Sequence, residues 1–248
     1  DKRKISEIRS HAVGGQLAGH WDLHTHSNGR VACREPNLQS LPRQGQARKC
    51  LESPAGHSLV SLDFASIEMR VAAHFAGQGE LFEDTTDFYL RIARELYEDA
   101  TMELNDPRRG LAKAAMCALL YSASADTIGE KAGISIAQAG DLRATWASLR
   151  GVGNSLLANG RETGAITTIS GRQRFVAGLA GKYSRRPHRE AWNALVQGST
   201  ADIVLRKALS VHDAGLPAQP ALLIHDEIVY VVRDDDIAKT VGRLVDLM

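Results

Sequence analysis

Asp63 closes one apolar run, and Asp226-Glu227 lies between two others much later in the chain. Antiparallel pairing brings such ends together. Two carboxylates converging at a sheet edge can hold a pair of divalent ions roughly 3.5–4 Å apart, one activating an attacking oxygen and one stabilising a leaving oxygen. Magnesium suits them, because it favours a few carboxylates completed by phosphate oxygens and water. Taken alone, an Asp at a strand end is most often a solvated turn residue, so this spacing by itself is weak.

Arg109, Lys113, Cys117 and Tyr121 recur every four residues. On a helix each step advances roughly 400°, so the four share a slowly drifting face about 18 Å long, comparable with an extended nucleoside triphosphate. The cations lie at the N-terminal end, where the helix dipole also draws phosphate. Tyr121 lies at the other end, where a base can stack. An ordinary surface helix with two basic residues and a half-buried Tyr has the same pattern. Arg189, Asn193 and Gln197 repeat the spacing with side chains that donate to sugar, phosphate and base edges. A face pointing to solvent looks the same. His20, His24 and His26 suggest zinc, but they sit in a loop-like segment without cysteine partners and read better as solvated.

The elements that must position these residues are legible in outline. Ser58 to Phe64 reads as a strand, followed by helical apolar spacing over Ile67 to His74. Asp106 as N-cap with Pro107 at the first helical position starts a helix through about Tyr121, and more helix follows to Leu157. Ala165 to Ile169 reads as a strand, Gly171-Arg172 as a turn, and Arg189 to about Ala214 as a long amphipathic helix. Ala221–Ile224 and Ile228–Val232 form a hairpin signature with Asp226 and Glu227 at its tip. The first fifty residues, including Glu35 to Pro42, read as extended or turn structure. The outline is an α+β sheet interrupted by a helical insertion.

With 248 residues, 44% hydrophobic and 24% charged, the chain is of globular composition and long enough for two subdomains. Cys33, Cys50 and Cys117 form no CxxC pair and are odd in number, against a disulfide framework or a thiolate metal site and in favour of a reducing cytoplasm. Neither a membrane span nor an apolar signal core is present in the sequence. The net charge of +1 argues for no partner, but Gly171 to Arg189 carries Arg172, Arg174, Lys182, Arg185, Arg186 and Arg189 without an acid. That segregation makes either a basic surface or a solvated basic loop.

Taken in order, three segments resemble the family A DNA polymerases, the group containing bacterial DNA polymerase I. Asp63 to Arg70 is similar to that family's motif A, Arg109 to Tyr121 to motif B, and His225-Asp226-Glu227 to motif C. Gly29-Arg30 with Pro36 to Ser40 resembles the segment ahead of motif A, and Gln197 to Ile203 the Q-helix. The resemblance runs from about Gly29 to the end. It implies a right-hand polymerase of α+β class: an antiparallel palm sheet with an inserted helical fingers subdomain, thumb and exonuclease domains absent. The boundaries it suggests are 1–26 as an unplaced thumb–palm junction, 27–77 palm, 78–165 fingers and 166–248 palm. The chain stops soon after motif C, which reads as a fragment or a degenerate product needing a processivity or missing-domain partner.

The same resemblance implies the roles. Asp63 and Asp226 bind two magnesium ions, or manganese as substitute, with the Phe64 carbonyl as a further ligand and Glu227 in support. Lys113 and Arg109 hold the triphosphate of the dNTP, and Tyr121 stacks near the nascent pair. Glu68 matches the steric gate against a ribose 2′-hydroxyl. Arg30, Asn37, Gln39, Arg189, Asn193, Gln197 and His225 match residues gripping primer-template DNA. The reaction is then template-directed addition of dNTPs to a primer 3′ hydroxyl, in the cytoplasm of a bacterium or phage-infected cell. Three positions depart from the pattern. Cys117 stands for Phe or Tyr, Ser122 for the Gly after the motif B Tyr, and Tyr89 for a His that touches the triphosphate. They imply weakened nucleotide binding and a stiffer helix end. Two alternatives remain at this level: a non-catalytic remnant that binds primer-template DNA, and a single-subunit RNA polymerase, which Glu68 and the His225-Asp226-Glu227 segment oppose.

Overall fold

The structure is a computed structural model describing residues 2–23, 25–41, 46–84, 86–147, 149, 157–158, 160–180 and 185–248. His24, Pro42, Lys182 and residues 148 and 150–156 of the helical stretch expected up to Leu157 lie outside those residues, as does the Arg185 side chain.

In chain order come α1 (Lys2–His11), β1 (His20–Asp22), β2 (Ala32–Arg34), a 3-10 turn (Leu38–Ser40), α2 (Gln46–Lys49), β3 (His57–Asp63) and α3 (Ile67–Phe75). Next are α4 (Phe88–Leu96), α5 (Pro107–Leu120), α6 (Ala125–Ala132), α7 (Ile136–Thr145), β4 (Ala165–Thr167) and β5 (Gln173–Phe175). The long α8 (Arg185–Asp213), β6 (Ala218–Ile224), β7 (Glu227–Arg233) and α9 (Ile237–Leu247) complete the order. Two compact units result, one of residues 1–65 with 197–248 and one of 66–196.

The first unit is built on an antiparallel sheet in the order β3-β7-β6. Its centre, β7, has the sequence Glu-Ile-Val-Tyr-Val-Val-Arg, the β-branched and aromatic run that suits a strand paired on both edges. Ile228, Val229, Tyr230 and Val232 are buried in it. Registry with β3 is continuous from His57 opposite Arg233 to Asp63 opposite Glu227. Gln39 joins three segments: its amide nitrogen donates to Val31 O (2.8 Å) and Leu223 O (2.9 Å), and its oxygen accepts from Cys33 N (3.1 Å).

One expectation fails here. The first fifty residues are not simply extended, because Lys2–His11 is helical. Five basic residues dilute its apolar signal, yet Ile5 and Ile8, three positions apart, share a face that packs with Cys33, Leu38 and Leu41. Burial supplied by distant segments stabilises this helix, which propensity alone leaves marginal.

The second unit is mainly helical. In α5 the buried positions are Ala112, Ala115, Met116, Leu119 and Leu120, the spacing of one apolar stripe. Asp106 caps it by accepting from Arg108 N at 2.8 Å, with Pro107 in the first turn, as the sequence predicts. Ser124 caps α6, and Ser135 with Gln138 forms a capping box on α7. Strand β4 ends two residues short of the expected Ile169, because Thr168 N donates to Arg172 O and Gly171 N to Thr168 O, closing the turn to β5.

Candidate functional site

In the first unit the pairing register decides what the carboxylates can do. Asp63 is the last residue of β3 and faces Glu227 across the strand pair, and Phe64 N donates to the Asp226 carbonyl at 3.2 Å. Directly opposed residues of antiparallel strands lie about 4.5–5.5 Å apart at Cα, so three acidic residues occupy neighbouring backbone positions. The hairpin turn between β6 and β7 is His225-Asp226, and His225 adopts φ 59°, the left-handed backbone that reverses the chain in two residues.

Glu227 corrects the sequence reading. It is the first residue of β7 instead of part of the tip, and is only 4% exposed. Its Oε1 accepts from Arg48 Nη2 and from Ser61 Oγ, the latter at 2.5 Å. Strand alternation puts Glu227 on the sheet face of Ser61 and Asp63, which are themselves exposed, and Arg48 pairs with its carboxylate there. Nothing in the short polar stretch around Arg48 marks it from sequence.

The remaining candidates of this unit are held mainly by the backbone. Asn37 accepts from Gln39 N and Ser40 N, capping the 3-10 turn, and Gln39 is bound as described above. Gln197 accepts from Asn28 Nδ2 at 2.9 Å, and Arg30 N donates to Asn28 Oδ1.

In the second unit the four-residue stripe forms as expected, and each member has a defined neighbour. Arg109 grips Asp87 with two hydrogen bonds, Nε to Oδ1 at 2.8 Å and Nη2 to Oδ2 at 2.7 Å. Lys113 is exposed, with Nζ 5.5 Å from the centroid of the Tyr89 ring. Tyr89 is itself 4% exposed, and burial first of all drives its phenol pKa upward, with Cys117 and Ser66 beside it. Tyr121 donates to Glu68 Oε2 at 2.5 Å. Trp192 anchors the C-terminal end of α5 by donating to Leu120 O at 2.9 Å. A groove of about 600 Å³ follows, lined by Cys117, Tyr121, Ser122, Lys131 and the exposed Arg189 among others. Asn193 Oδ1, on the same helix as Arg189, is buried without a hydrogen-bond partner. Sequence reasoning missed Asp87, which also caps α4 by accepting from Leu90 N at 2.8 Å.

Two stability effects follow. The Arg109 guanidinium holds the Asp87 carboxyl below its ordinary value. Its stabilisation is complete above the unfolded-state value near 4 and is lost as pH falls through the lower folded-state value. Asp87→Asn keeps a good cap but loses the charge pair, for about 1 kcal/mol at pH 7, or a 2–4 °C lower melting temperature. The gap between parent and variant narrows below about pH 4, as thermal melts across that range will show. Ser122 adopts φ 61°, a backbone costing a side-chain-bearing residue about 1–2 kcal/mol. Ser122→Gly therefore raises stability by about 0.5–1 kcal/mol after the glycine entropy cost, measurable by urea unfolding.

Among the described residues no group of three or more His, Cys, Asp or Glu has metal-holding geometry. His24 of the suggested histidine cluster is not among them. Nor is any described helix long and apolar enough to cross a membrane.

Comparison with known proteins covers nearly all of the chain. A family model described as DNA polymerase family A matches residues 3–248. DNA polymerase I of Rhizobium leguminosarum is 31% identical over an alignment taking in 100% of this chain and 27% of that protein. For DNA polymerase I of Chloroflexus aurantiacus the figures are 29%, 90% and 25%. The POL domain of Pol1 from M. smegmatis, solved in complex with DNA primer-template and dNTP, superposes with a TM-score of 0.80 at 25% identity, covering 99% of this chain and 46% of that one. The chain thus spans about a quarter of the length of these curated relatives.

Proposed function

Because the chain belongs to the family A DNA polymerases, we propose that it is a template-directed DNA polymerase adding dNTPs to a primer 3′ hydroxyl. The observation that supports this most is the β3–β7 register, which sets Asp63 opposite Glu227 and beside Asp226. Residues 27–77 and 166–248 are read as palm and 78–165 as fingers. The donor set suits magnesium: two aspartates and the Phe64 carbonyl offer few, hard oxygen ligands, leaving room for phosphate oxygens and water. Bound there, a pair of divalent ions would activate the primer hydroxyl and stabilise the leaving pyrophosphate.

The chain's own residues then share the remaining work. Asp63 and Asp226 hold the cations. Lys113 and Arg109 bind the triphosphate and balance the charge that develops on it. Tyr121, held by Glu68, offers a ring for base stacking, and Glu68 crowds a 2′-hydroxyl. Arg30, Asn37, Gln39, Arg189, Asn193, Gln197 and His225 contact primer-template DNA without reading its sequence, since template pairing selects the nucleotide.

The test is extension of a primed template with magnesium and either dNTPs or rNTPs. Templated extension with dNTPs in clear preference to rNTPs supports the reading. Preference for rNTPs assigns an RNA polymerase, and DNA binding without extension assigns a non-catalytic remnant.

A further inference from the structure

Asp63, Asp226 and Glu227 occupy neighbouring backbone positions, and of these Glu227 is buried. A buried carboxylate requires a counter-ion and hydrogen bonds. Arg48, from the single turn of α2, supplies the ion pair to Glu227 Oε1, and Ser61, two residues before Asp63 on the same strand, supplies the hydroxyl. The Arg48 side chain is 23% exposed and that of Glu227 5%, so water screens this pair less than a surface pair.

We propose that Arg48 is a positioning residue for the candidate cation site: by binding Glu227 with Ser61, it withdraws the third carboxylate from cation binding and leaves Asp63 and Asp226 to set where the ions lie. This rests on the two-cation reading above. Glu227 is then a neutralised support under the strand end, and its place is set by a residue fifteen positions before Asp63.

The consequences are specific. Arg48→Met removes the guanidinium that pairs with the Glu227 carboxylate. A divalent ion at the neighbouring aspartates then acts as a counter-charge for it, so Mn²⁺ binds about tenfold more tightly and in an altered position. Nucleotide incorporation slows about tenfold or more, while KM for the dNTP stays within about threefold of the parent, because the triphosphate contacts lie on other residues. Arg48→Lys keeps a cation and shows near-parental Mn²⁺ affinity. Once Glu227 is made neutral Arg48 has nothing to cancel, so Arg48→Met/Glu227→Gln matches Glu227→Gln alone within about threefold in both Mn²⁺ affinity and rate.

The experiment measures free Mn²⁺ by electron paramagnetic resonance on the DNA-free proteins, melting in EDTA, and single-turnover primer extension. Tighter Mn²⁺ binding in Arg48→Met, abolished by the added Glu227→Gln, supports the proposal. Unchanged Mn²⁺ affinity in a folded Arg48→Met overturns it. A double variant at least tenfold worse than Glu227→Gln alone also overturns it, and this comparison does not need Arg48→Met to fold. The Mn²⁺ and melting measurements require no polymerisation, so a parent that fails to extend a primer sinks the functional reading without deciding this one.

Discussion

Replacing Asp226 with Asn lowers single-turnover nucleotide incorporation by about a thousandfold, equivalent to about 4 kcal/mol, while primer-template affinity stays within a few-fold of the parent. Asn has the shape of Asp, so the turn and the Phe64 N to Asp226 O bond survive, and only the charge proposed to hold a cation is lost. Asp63→Asn behaves alike, because either carboxylate alone leaves the ion pair half-held. The two substitutions are also non-additive: with one in place the second costs little more, since groups that act as a unit fail together. Rapid-quench extension beside a DNA-binding titration checks all three statements. An Asp226→Asn variant that still incorporates within tenfold of the parent would remove the carboxylates from the chemistry.

The second large effect is at Lys113. Arg109 is already gripped by Asp87 through two hydrogen bonds, so its guanidinium is partly neutralised before any nucleotide arrives. Lys113 is exposed one turn further along, its ammonium 5.5 Å from the centroid of the Tyr89 ring. On the proposed reading it is the stronger source of charge for phosphate, and Lys113→Met is expected to lower kcat/KM by about 10²–10³. Arg109→Met acts differently, because it strips Asp87 of its partner and lowers stability as well as activity. Steady-state kinetics with thermal melts separates the two, since only the Arg109 variant shifts the melting temperature appreciably.

The departures at Cys117, Ser122 and Tyr89 acquire physical content from these contacts. Tyr89 lies buried on α4 with Cys117 beside it, so a large ring on one helix sits next to a small side chain on the other. Substituting Cys117 alone by Phe or Tyr would place two rings where one now fits. Ser122 tolerates a left-handed backbone that glycine adopts without strain, which is a stability cost at the end of α5.

How much of this was legible without coordinates differs from element to element. Local patterns determined the strand ending at Asp63, the Asp106-Pro107 helix start, the Arg109 to Tyr121 stripe and the hairpin around Asp226, because capping, helical period and strand alternation are each written within a few residues. Order and spacing of the motifs also carried the family. Tertiary structure alone decided that Asp63 is set against Glu227, that Glu227 turns inward to Arg48 and Ser61, that Arg109 is tied to Asp87, and that Lys2–His11 is helical. Each of these depends on a partner far away in sequence, and the register and burial that join them come from packing the whole chain, which no local window contains.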